Sequence, residues 1–179
     1  MPALEHWHEF YVLVGTAGAT LLALLFVAIS LGAGFLSYRR SAPTRAFFSP
    51  VVVHFTAVFF LSALALVPEH NVEFFAGLIA ACAVIGGSVA VFATVQIMRH
   101  DWTHYLQDHL GYGIGPVLCY AALLIAAGMI ERHHDAAFDV LAAALVALLI
   151  VNVRNAWDLT LSMVHRHTQI EPRGNKRKR

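Results

Sequence analysis

The amino-acid sequence predicts an all-α protein, a polytopic transmembrane helix bundle of five spans with its N-terminus outside and its C-terminus in the cytoplasm. Three observations carry that expectation. The chain is 59% hydrophobic and only 13% charged, where an ordinary soluble domain carries about 25% charged residues. Its apolar residues fall into five long runs, and its basic residues alternate across them. A span takes about 20 apolar residues, so spans use up most of the chain and leave no room for a separate soluble domain. Residues 1–170 are therefore expected to form one transmembrane domain, followed by a basic, disordered cytoplasmic tail over 171–179.

In hydrocarbon each backbone donor and acceptor must be satisfied within its own segment, so every run is read as a helix. The first extends from Phe10 to Leu36, after the acidic Glu5-His6-Trp7-His8-Glu9. It lacks a basic leader and is too long for a signal-peptide core, so it is expected to stay in the mature protein. The second runs from Ala46 to Val67 and the third from Phe74 to Met98. Arg99 to Leu110 then has helical character until Gly111, Gly113, Gly115 and Pro116 break it, which predicts a short interfacial helix. The fourth run, Ile114 to Ile130, is the shortest, and the fifth spans Ala136 to Val153. All five are apolar on every side, whereas a soluble bundle would need a polar face on each helix. Cys82 and Cys119 fall inside apolar runs and act there as small hydrophobes.

Orientation follows from basic residues, which favour the cytoplasmic side of short loops. Five spans put all but Arg132 of the 12 Lys and Arg residues on one side. Adding or removing a span breaks that alternation. The outer side then holds Glu5, Glu9, Glu69, Glu73, Glu131, Asp135 and Asp139 with His6, His8, His70, His133 and His134. Trp7, Tyr11, Tyr38, Trp102, Tyr105, Tyr112 and Trp157 lie near predicted span ends, where amphipathic rings sit at headgroup level.

Trp7 with Phe10-Tyr11-Val12-Leu13-Val14-Gly15-Thr16-Ala17-Gly18-Ala19-Thr20, the continuation Leu25-Phe26-Val27-Ala28-Ile29-Ser30-Leu31, and Arg154-Asn155-Ala156-Trp157-Asp158-Leu159 resemble a group of small multi-pass bacterial inner-membrane proteins. Some members of that group carry a label as modulators of a membrane-anchored protease. The resemblance implies an inner-membrane location and an accessory role, and it brings no catalytic residues.

Small residues recur at helical spacing: Gly15, Ala19 and Ala23, then Ser30 and Gly34, then Ala83 and Gly87. Such faces let helices approach closely in lipid, either within one protomer or between copies. His54 lies about two turns inward from Arg45 in Val51-Val52-Val53-His54-Phe55-Thr56. An ionisable group at that depth is expensive and marks a functional site by default. Its nearest polar partners by depth are Asn152, Arg154, Asn155 and Asp158 at the cytoplasmic end of the fifth span, where Arg154 and Asp158 are spaced to pair on one face. At the outer face, His6, His8, His133 and His134 supply zinc-type ligands if three loops converge; solvated loop histidines are the simpler reading. His100 and His104 resemble one element of the membrane di-iron hydroxylases and desaturases, but the His-x-x-His-His elements are absent and His133-His134 fall on the opposite side. No nucleophile elbow, Walker loop or dinucleotide fingerprint is present.

These features predict a small, non-enzymatic multi-pass protein of a bacterial inner membrane that self-associates and works as a channel or carrier, with a polar site near its cytoplasmic end. The alternative is an accessory or regulatory subunit docked on a larger membrane partner. A metal-dependent membrane enzyme ranks third. The expected partners are the bilayer and a second copy, with no nucleic acid and no cofactor beyond a zinc ion at the outer face.

Overall fold

Each of the five apolar runs is helical in the computed structural model, which describes residues 7–36, 42–67, 71–100 and 113–170. The helices are α1 (His8–Leu36), α2 (Ala42–Ala65), α3 (Val72–His100), α4 (Gly115–Glu131) and α5 (Ala137–Ile170). Among the described residues there is no strand. The expected interfacial helix over Arg99 to Leu110 and the basic tail over 171–179 lie largely or wholly outside the described residues.

Among the described residues three helices are long and apolar enough to cross a membrane: His8–Ser30 with mean hydropathy 2.4, Val72–Gln96 with 2.3, and Ala137–Leu161 with 2.0. Pro50–Ala65 and Gly115–Glu131 are shorter apolar helices. Helix α5 runs well beyond Val153, where the sequence reading ended its span. Charged residues end a hydrophobic stretch, but they do not end a helix whose backbone bonds are internal.

Local chemistry sets several helix ends. Asn71 accepts a hydrogen bond at Oδ1 from the Glu73 backbone N–H at 3.0 Å and so caps the start of α3. Pro116 sits in the first turn of α4, where its missing N–H is not needed. At the other end of α4 the His134 N–H donates to the Met129 carbonyl at 2.9 Å and the His133 N–H to that of Ile130 at 3.0 Å. This is a Schellman cap, and His133, with φ 55°, takes the left-handed position that glycine usually fills.

Helices α2, α3, α4 and α5 form a ring, each packed on the next and α5 closing on α2. Helix α1 lies outside it, against α2 and α5. Links as short as residues 132–136 make packed neighbours antiparallel. The main core gathers Phe75, Ile79, Leu123, Leu141, Leu145 and Leu148 with Val58 and Leu61; a second cluster of Leu25, Val51, Phe55 and Leu159 joins α1, α2 and α5.

Glycines bring helices together within the protomer. A Cβ on Gly15 would lie 3.0 Å from that of Ser62, and one on Gly18 would lie 3.3 Å from Val58 Cγ1, so α1 rests directly on α2. Tyr11 is fully buried in the core beside Phe10, at 5.3 Å between ring centroids, so its ring packs on protein rather than facing outward. Trp157 does face outward, 64% exposed.

The outside of the bundle is apolar on every helix, including Leu13, Phe26, Phe60, Phe74, Ile85, Phe92, Leu118, Ile125 and Ile150. Hydroxyls on that surface donate to carbonyls of their own helix: Thr20 to Thr16 and Ser30 to Phe26 at 2.8 Å, Thr56 to Val52 and Thr160 to Ala156 at 2.9 Å. Groups satisfied in this way need no water, which suits a hydrocarbon environment.

Candidate functional site

The site is built where α2, α4 and α5 meet inside the ring. His54 is fully buried on α2, in a helix otherwise filled there with valine, phenylalanine and alanine. Its Nδ1 lies 2.9 Å from the Tyr120 hydroxyl of α4. The two helices occupy opposite corners of the ring, so this hydrogen bond crosses its middle. Either group can donate, because the roles follow the imidazole tautomer. The rings lie 5.4 Å apart at a tilted angle.

Tyr120 reaches His54 because Gly86 of α3 has no side chain. A Cβ there would collide with the phenol ring and hydroxyl, and one on Gly87 would sit 3.4 Å from Tyr120 Cβ. One turn before His54 on α2, the Val51 carbonyl accepts a hydrogen bond from Asn152 Nδ2 of α5 at 2.9 Å. Asn152 is fully buried, and its Oδ1 has no partner among the described residues. Asn155, one turn along α5, is also buried. Imidazole, phenol and two carboxamides are thus buried within an apolar bundle. Leaving any of them without a partner costs about 1–3 kcal/mol, so each bond here also fixes the position of a helix.

Of the residues that the sequence groups with His54 by depth, Asn152 bonds to the Val51 carbonyl one turn from His54, and Asn155 is buried one turn further along α5. Of the charged pair, Arg154 is exposed and Asp158 half-buried. Tyr120 is the partner that the sequence reading missed. Both His54 and Tyr120 lie about three turns before their helices end, at Ala65 and Glu131, and matching those depths was the available signal.

At the other end of the bundle, His8, His133 and His134 are exposed. Among the described residues no group of three or more His, Cys, Asp or Glu is arranged to hold a metal ion, and His6 and His70 lie outside those residues. His133 has a structural task as the left-handed residue of the α4 cap. Cys82 and Cys119 are free thiols.

An open groove of about 380 Å³ runs between α2 and α3. It is lined by apolar side chains from Val52 to Phe60 and from Leu78 to Ile85, and Gly86 forms part of its wall. The Thr56 hydroxyl, also in the lining, is already bonded to the Val52 carbonyl. No protein family, curated protein or solved structure matches this chain. Its function must therefore be argued from the cluster and the bundle around it.

Proposed function

We propose that the chain is a five-span protein of a bacterial inner membrane, N-terminus outside, which self-associates and acts as a carrier for a small polar solute through the His54–Tyr120–Asn152 site. The carrying observation is the fully buried His54–Tyr120 hydrogen bond across the ring, with the unpartnered Asn152 Oδ1 beside it. Polar groups placed in hydrocarbon are costly unless they face protein or water, which makes such a cluster a functional site first. A carrier suits the geometry better than an open pore, since His54 and Tyr120 are bonded to each other and both are buried, as is Asn152.

Packing supports the span count. If α3 and α5 cross, the antiparallel α4 between them must return the chain. At about 1.5 Å per residue its 17 residues reach about 25 Å, so the bilayer thins slightly there or flanking residues extend the span. Orientation rests on the arginine asymmetry. Gly15, Gly18, Gly86 and Gly87 are used inside the protomer, so self-association would use other faces.

Purified protein in liposomes should carry out solute or proton flux, and His54→Phe should abolish it while leaving the protein folded. Parent-level flux in that variant would reject the site. The second reading, an accessory subunit, is favoured by the open α2–α3 groove and by the resemblance of Arg154–Leu159 and the first span to inner-membrane proteins labelled as protease modulators. Co-purification with one stoichiometric membrane partner, without flux, would select it.

A further inference from the structure

We infer that the α2–α3 groove is a specific site for one acyl chain of an anionic phospholipid, from the leaflet at the Arg99 end of α3. The inference rests on the reading that α2 and α3 lie in a bilayer, but not on which end is outside or on transport. The groove spans about two turns of each helix, from Val52 to Phe60 and from Leu78 to Gly86, and its long direction follows the helix axes. Nothing in it offers an unsatisfied polar atom: its lining is aliphatic, aromatic, a thiol, and a Thr56 hydroxyl bonded within its own helix. Water entering such a space would find no partners, whereas a hydrocarbon chain would regain contacts along its length.

Charge selects the head. Arg99 is exposed in the last turn of α3, and α2 begins at Ala42 with Arg45 in its first turn. Because the two helices are antiparallel neighbours, Arg99 marks the end of the α2–α3 seam at which α2 begins. Each basic residue near a membrane surface attracts anionic lipid by about 1 kcal/mol. From Arg99 to Ile85 is about four turns along one side of α3, roughly 20 Å, so a phosphate at Arg99 places the distal part of its chain in the groove. Tyr120 closes the far wall behind Gly86 and separates the hydrocarbon from the polar cluster.

The test uses the full chain in vesicles containing phosphatidylglycerol with a diazirine near the end of one acyl chain, compared with phosphatidylcholine carrying the same tail. Peptide mass spectrometry locates the adducts. The expected result is labelling concentrated on Thr56, Phe60 and Cys82, stronger for the anionic head. Arg99→Gln should remove the headgroup preference. Ala81→Phe, which fills the groove from an exposed position, should shift labelling to the general rim. Equal labelling of the groove and of Leu124 or Ile150 would mean annular lipid only and would overturn the site. So would equal labelling by the two headgroups, or groove labelling unchanged in Ala81→Phe. Protein that fails to float with vesicles and takes no label anywhere would instead contradict the membrane reading itself.

Discussion

At the residue scale the account turns on two side chains placed by the absence of a third. Removing either end of the His54–Tyr120 bond leaves the other polar group buried alone, so the second removal should do little further harm. His54→Phe and Tyr120→Phe should therefore be non-additive, with a coupling of about 0.5–1.5 kcal/mol in a reversible unfolding assay. Asp158 is only half-buried and can be solvated without a partner in the bundle, so His54→Ala and Asp158→Ala should add. Gly86 gives an independent check on the same geometry. Gly86→Ala forces its methyl group into the Tyr120 ring and should destabilise by about 1–3 kcal/mol. Tyr120→Ala should erase that difference, whereas Tyr120→Phe, which keeps the ring, should not. His133 makes an opposite kind of prediction. Its left-handed backbone means that His133→Gly should be neutral or stabilising by up to about 1 kcal/mol, while His133→Val should lower the melting temperature.

At the element scale, the apolar runs made five helices legible in sequence, with starts and ends within a few residues for α1, α3 and α4. The end of α5 was not legible from hydropathy. Arg154, Asp158 and His165 mark where the chain becomes polar, but a helix can continue into the interface with its hydrogen bonds intact. Nor does sequence spacing tell which partner a small residue meets. Gly15 and Gly18 meet α2, and Ala23 on the same helix is exposed. Gly18→Leu should therefore detach α1 and lower stability clearly, whereas Ala23→Leu should leave the folded protomer unchanged; thermal unfolding in detergent measures both.

At the scale of the whole molecule, counting residues from the charged ends sets His54 and the two asparagines at similar positions along their helices. Their burial inside the bundle was not legible there, because it depends on helix rotation. Tyr120 was hidden for a related reason: one tyrosine in Leu118-Cys119-Tyr120-Ala121 reads as apolar filling until Gly86 is seen to make room for it. The site acquires its meaning only if all five helices cross the bilayer, and the groove only if α2 and α3 lie in it. Helices α2 and α4 are the ones whose apolar lengths leave this to be tested. The most direct measurement is labelling of single cysteines by a membrane-impermeant maleimide, in a background lacking Cys82 and Cys119. Cysteines at Glu69 and His134 should react in intact cells, and one at Ala42 only after the membrane is opened. Labelling of Glu69 and Ala42 from the same face would mean that α2 does not cross, and the five-span account would fail.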